Sequence, residues 1–321
     1  MNVLLVHQEL SSDSNGLLKN IFVLKSLLRN LNCKVYTSHL PGVKYDKIIQ
    51  VDKIINHSLL LEIKSKNPSA KNIHLIYGNK MIGDIENLSS NRIALNSQDV
   101  DEVWISPHYN FCIEYIKVLY RVNTVLIAPY IWSPDYIKFT SKYFNKKIIS
   151  IIEPNLSVTK SCLPSIMIVE YLYRKNPKSF DMLNIFCCEK NKESKYFLSI
   201  LNTLTIFKDK KVNLYPRVNM ETIFCNANQV VVSHQLMNEL NYAYMECFHF
   251  NIPLVHNSKA IKDYGYYYSD YNVIQGSEKL SQALSNIGKK NTNKNTSKIL
   301  NKYSPRNKNV IQKYKSILEI D

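Results

Sequence analysis

Short, largely apolar runs recur along this chain, each followed by a segment with helical spacing, and that alternation restricts its fold more than any other feature. Residues 3–6, 34–37, 47–51, 72–77, 102–106 and 125–128 form a first series of such runs. Strands alternating with helices require a parallel sheet covered by helices on both faces. Residues 16–30 show the clearest helical period, through Leu17, Phe22, Leu24, Leu27 and Leu28. The Pro-containing segment 128–134 ends the series and reads as a crossing between domains. The pattern then restarts with strands at 148–152, 183–187 and 212–215, from Val230, and around Leu254. Helices are expected at 161–173, 194–204, 277–287 and 304–320. The organisation is therefore α/β, with two doubly wound domains, 1–147 and 148–303, and a last helix, 304–321.

A chain of 321 residues suits two domains that each bury a core. No apolar run reaches the ~18 residues that a membrane-spanning helix needs. The first residues enter a strand without the basic start of a signal peptide, so a cytoplasmic location is expected. Seven cysteines have no Cys-x-x-Cys spacing and mostly apolar neighbours, which reads as reduced, buried thiols rather than a metal site. The net charge of +15 has two readings. A polyanionic partner such as nucleic acid is one; abundant Lys, Asn, Ile and Tyr from coding bias is the other.

The stretch from Val230 to Ser258 carries the most chemistry. It reads as a buried strand, a polar turn (Ser233, His234, Gln235, Asn238), a short helix carrying Glu246, a turn at Pro253 and a second buried strand. In an α/β sheet, ligands sit where a strand's carboxyl end meets the next helix, and backbone N–H groups there point at the ligand. There is no Gly-x-Gly-x-x-Gly and no Gly-Lys-Ser/Thr, so nicotinamide and P-loop readings fail.

The stretch resembles the donor-binding segment of GT-B-fold glycosyltransferases: a strand, Ser, Glu, Gly, a second Glu, then Pro into a strand. Ser233, Asn238, Asn241, Glu246 and Pro253 take the marked positions. Asn238 replaces the first Glu and Asn241 the Gly, while the second Glu is kept. The resemblance implies two Rossmann-like domains facing a cleft, with the C-terminal helix returning to the first domain. It implies that Glu246 accepts hydrogen bonds from the ribose hydroxyls, and that Lys160, after the first strand of the second domain, meets the diphosphate. Trp132-Ser-Pro, Ile152-Glu-Pro-Asn-Leu-Ser-Val, Val232-Ser-His-Gln, Leu240-Asn-Tyr and Pro253-Leu-Val-His-Asn-Ser resemble more closely an uncharacterised bacterial and phage family of unknown function.

Other candidates carry alternatives. Arg217 follows the third strand of the second domain, where it would contact the diphosphate or the base; Lys160 and Arg217 each have the alternative of a solvated surface charge. Asn238 could equally cap the helix that follows. Gly16 opens a helix whose N-terminus would face the diphosphate, or it serves a turn. An inverting reaction needs a base for the acceptor's proton, and His108 leads, with Glu9 and Asp13 after the first strand. In a retaining enzyme His108 would contact the sugar. Asp99-Val-Asp101 reads as loop polarity, and no metal is expected. Residues 264–270, rich in Tyr, either shape a pocket or cover a sheet end.

The expected function is glycosyl transfer from a nucleotide diphosphate sugar, with UDP-glucose the expected donor and no other cofactor. The acceptor hydroxyl belongs to a glycan, a lipid-linked sugar or a protein. The alternatives are a phage-type DNA glucosyltransferase acting on hydroxymethylated bases, and a non-catalytic nucleotide-sugar or nucleic-acid binding protein.

Overall fold

A computed structural model describes residues 1–7, 15–52, 55–89, 99–142, 144–289 and 296–320. The chain divides into two compact units: Met1–Tyr136 with Asn301–Asp321, and Ile137–Leu300. The crossing segment expected at 128–134 is itself buried in the first unit, with Tyr130, Ile131 and Trp132 at 5% exposure or less, and the division follows Tyr136.

The first unit holds β1 (Asn2–His7), α1 (Asn15–Asn30), β2 (Lys34–Tyr36), β3 (Lys47–Val51), α2 (His57–Lys66), β4 (Lys71–Ile76), α3 (Lys80–Ser89), β5 (Glu102–Ile105), α4 (Ile113–Tyr120) and β6 (Val125–Ile127). Its sheet runs β2-β1-β3-β4-β5-β6, with every pairing parallel. The second unit holds β7 (Ile148–Ile151), α5 (Cys162–Lys175), β8 (Met182–Ile185), α6 (Lys195–Thr203), α7 (Thr205–Lys208), β9 (Val212–Leu214), α8 (Met220–Phe224), β10 (Gln229–Val232), α9 (Tyr242–His249), β11 (Leu254–His256), β12 (Tyr266–Tyr267) and α10 (Val273–Ser285). Its sheet runs β12-β11-β10-β7-β8-β9, again all parallel. Two helices follow, α11 (Thr296–Lys302) and α12 (Lys308–Leu318). This is the α/β, doubly wound GT-B architecture that the alternation and the resemblance predict.

The apolar runs become strands because both faces are covered. Every residue of β3, β5 and β10 is buried. In the second unit Ile166 and Val169 of α5 and Leu280 of α10 pack on Ile149, Leu183 and Val230. Several buried polar residues are paired, as burial requires. Gln50 donates to Asn72 Oδ1 at 2.7 Å and accepts from the Ile55 N–H at 2.6 Å. Glu170, buried on α5, accepts the Thr205 and Ile206 N–H groups at the start of α7 at 3.0 and 3.1 Å. The Asp-x-Asp pair serves strand entry: Asp101 accepts the Asn72 N–H at 2.7 Å and Asp99 pairs with His57 at 2.7 Å. Among the described residues no helix is long and apolar enough to cross a membrane.

The C-terminal return is held by specific bonds. Tyr314 Oη donates to the Pro129 carbonyl at 3.1 Å, and the Trp132 N–H donates to the Tyr303 carbonyl at 2.8 Å. Glu319, just past α12, receives Lys47 at 2.7 Å and also Lys71, which in turn pairs with Glu102 at 2.8 Å. Lys47 is 5% exposed, so Glu319 compensates a buried ammonium.

This packing can be tested at two positions. Gly265 has φ +64°, and a Cβ there would lie 2.8 Å from the Leu254 carbonyl oxygen. Gly265→Ala is expected to lower stability in urea unfolding by more than the ~1–2 kcal/mol of left-handed strain alone. Hydrogen bonds from Lys47 and Lys71 hold the Glu319 carboxyl down to about 2 from an ordinary 4.5. A depressed carboxylate stabilises above its unfolded pKa and loses that contribution as pH falls through the folded one. The Tm gap between wild type and Glu319→Gln should therefore be constant above about pH 5 and close towards pH 2. A gap that ignores pH would remove Glu319 from that role.

Candidate functional site

In the second sheet the strand order reverses between β7 and β10. The two strands pair directly, but the chain leaves β7 towards β8 and β10 towards β11, which opens the crevice where ligands of such sheets bind. The residues that follow these two strands meet there.

Glu153 lies two residues past β7 and is 1% exposed. The Ser233 hydroxyl, at the end of β10, donates to its Oε1 and lies 3.0 Å from Tyr244 Oη of α9. The Leu236 N–H donates to the Thr159 carbonyl at 3.0 Å, a second tie between the two loops. Asn155, in the left-handed region at φ +53°, turns the β7 loop; its Oδ1 accepts the Cys162 N–H at 2.8 Å as α5 begins. Ser161 caps that helix through the Leu163 N–H at 3.3 Å.

The turn after β10 is equally built. Asn257, beyond β11, accepts the Gln235 N–H at 2.9 Å and donates to the Gln235 carbonyl at 2.8 Å. Gln235 Oε1 accepts the Asn238 N–H at 2.7 Å. His234 is 3% exposed; its Nδ1 lies 2.9 Å from Tyr268 Oη, and its ring sits 4.7 Å from that of Tyr271. His256 donates from Nε2 to the Tyr264 carbonyl at 2.7 Å and accepts the Ser258 N–H at Nδ1 at 3.2 Å, so it is fixed as a neutral tautomer.

Burial sets the electrostatics. It pushes the Glu153 carboxyl up to about 7, against the Ser233 hydrogen bond and the Lys160 charge, which both favour the anion. Lys160, half-buried in the same loop, is pulled down by burial; Glu153 opposes that shift and Arg217 adds to it. His234 and His256 are each lowered to about 4 by burial and stay neutral near pH 7.

The structure gathers Ser233, His234, Gln235 and Asn238 at this edge; Lys160 lies beside Glu153 and within electrostatic reach of Arg217. Asn241 caps α9, accepting the Ala243 N–H at 3.2 Å, so the cap falls on Asn241 rather than on Asn238. Glu246 is fully buried in α9. It lies two residues past Tyr244 on the same helix. Gly16 and His108 belong to the first unit. Gly16 lies in the first turn of α1, where a Cβ would meet nothing within 4 Å. His108 follows β5, with its ring 4.0 Å from that of Tyr109. Glu9 and Asp13 lie outside the described residues.

Sequence reasoning passed over Glu153, Tyr244 and Asn257, while Tyr268 lies in the Tyr-rich segment 264–270 that it singles out. An acid directly after a buried strand is a usable signal for Glu153. Tyr244 and Asn257 become visible only when strands far apart in the chain are set side by side. Asn257→Ala removes both bonds to Gln235 and should cost ~1–3 kcal/mol of stability, with faster amide exchange at Gln235. Unchanged exchange there would mean that the turn holds itself.

Solved glycosyltransferase structures share this fold. A mutant of Staphylococcus aureus TarM, solved with fondaparinux, alpha-GlcNAc-glycerol and UDP, matches with TM-score 0.54 and 15% identity over 84% of this chain and 55% of its own. The chain thus spans little more than half the length of TarM. A glycosyltransferase from Rickettsia africae ESF-5 matches with TM-score 0.56 and 12% identity over 99% of this chain and 97% of its own. OtsA in its apo form matches with TM-score 0.58 and 10% identity over 100% and 99%. Likeness at such identities is one of fold. No curated protein sequence matches the chain. The model of a family described as protein of unknown function, DUF2827, matches residues 30–318, and the chain belongs to that family.

Proposed function

We propose that this chain is a glycosyltransferase whose nucleotide diphosphate sugar donor is held at the carboxyl edge of the second sheet. The observation that carries the reading is the coincidence of a built polar cluster with the strand-order reversal of a doubly wound sheet. The pairing of Ser233 and Glu153 spans that reversal, with Lys160 beside it and Arg217 within electrostatic reach of Lys160.

Breaking the bond from sugar to diphosphate develops negative charge on the leaving oxygens. Lys160 and Arg217 would meet that charge, as cations do. Glu246, a buried carboxylate on the helix after β10, would accept the ribose hydroxyls. UDP-glucose is the proposed donor; TarM was solved with UDP, and a pneumococcal transferase, GtfA, with UDP and GlcNAc. His108, at the carboxyl end of β5, would take the acceptor's proton in an inverting reaction. The cations in this reading are the protein's own, and no metal has a role in it.

A thermal-shift panel of UDP-, GDP- and ADP-sugars, without added metal, tests the donor site. A ligand at a hundred times its Kd stabilises by about 2.7 kcal/mol, which is readily seen in Tm. Glu246→Ala and Lys160→Ala should each weaken the responding nucleotide sugar more than about tenfold. Unchanged affinity in Glu246→Ala would sink the ribose assignment. An acceptor screen that includes hydroxymethylated DNA then separates glycan from DNA transfer, and binding without turnover on any acceptor would point to a non-catalytic binder.

A further inference from the structure

Glu153 is an unexpected neighbour for a diphosphate. It is a buried carboxylate just past a central strand, hydrogen-bonded across the reversal to Ser233 and set against Lys160. Ionised, it attracts Lys160 and repels an arriving diphosphate. Protonated, it frees Lys160 for the ligand and removes the repulsion, while a carboxylic acid still accepts the Ser233 hydroxyl.

The groups facing it leave Glu153 as the acid poised near neutrality. From its own loop comes Lys160, and from the start of α5, Cys162. Cys187 follows β8, Tyr244 lies on α9 and Tyr268 follows β12. Burial pushes these two thiols and two phenols up, so they stay neutral at pH 7, and His234 is held neutral from the other direction.

Granting the donor site proposed above, we infer that Glu153 is a positioning residue that takes up one proton when a diphosphate ester binds at the reversal of the second sheet. The proton comes from the buffer, –COO⁻ becomes –COOH, and no bond of the ligand changes. Affinity at this site is thereby tied to pH through a residue that need not touch the sugar.

Calorimetric titration of the full chain with UDP-glucose, and with GDP-glucose, in two buffers of different ionisation heat between pH 5.5 and 8.5 reads the proton directly. These probes are diesters of diphosphate with no phosphate oxygen that titrates in that range. Uptake should be near zero at pH 5.5 and approach one proton at pH 8. Above pH 7 the affinity should fall about tenfold per unit. Glu153→Gln should keep the acid-limit affinity at every pH and take up no proton.

Binding without uptake in wild type at pH 8 would overturn the inference and leave the donor site standing. Uptake that persists in Glu153→Gln would also overturn it, placing the proton on Lys160. Failure to bind any nucleotide sugar at any pH would overturn the donor site itself, and the inference with it. Should Glu153→Gln not fold, the wild-type uptake profile, with its midpoint near 7, decides alone.

Discussion

At the reversal of the second sheet, β7 and β10 lie side by side, but their continuations part. The ladder itself stops at the strand ends, so bonds outside it bridge the gap: the Ser233 hydroxyl reaches Glu153, the Leu236 N–H reaches the Thr159 carbonyl, and Tyr244 joins from α9. The positions of the loop after β7, the turn after β10 and the start of α5 all depend on this small set of bonds. A crevice that topology would leave open to water is thereby given a defined polar floor.

The same edge shows how the fold manages buried polar groups. His256 satisfies both ring nitrogens with backbone partners, and Asn257 satisfies both Gln235 backbone groups. Close packing then demands a glycine at 265, because the Leu254 carbonyl and the His256 ring occupy the space a side chain would need. Ion pairing is used differently in the first unit, where the C-terminal Glu319 sits against two lysines at the opening ends of β3 and β4. Hydrogen bonds frame the carboxyl edge of the second sheet, and charge pairs hold the chain's return.

Much of the architecture is legible in the sequence because buried parallel strands leave no polar alternation to confuse them. β3, β5, β7 and β10 are found at or within a residue or two of where the apolar runs lie. Shorter elements are not legible in the same way. β12 is two tyrosines whose pairing to β11 follows from Gly265 and not from periodicity. Of the site, the Ser233 turn stands out because its polarity breaks a hydrophobic stretch. Glu153 hides in a Pro-Asn loop, since its meaning depends on a serine that comes 80 residues later in the chain. Asn241 shows the opposite failure: a position marked by resemblance is here spent on capping a helix.

The C-terminal return also has a consequence for how the molecule is made. The first unit is discontinuous, with the whole of Ile137–Leu300 inserted between its two pieces. On the ribosome the inserted unit is complete before the first has all its parts, since α12 and Glu319 are made after it. Until then Lys47, a buried ammonium in the finished sheet, has no Glu319 to meet it. The order of synthesis therefore makes the first sheet wait for α12, and lets the inserted unit fold ahead of it.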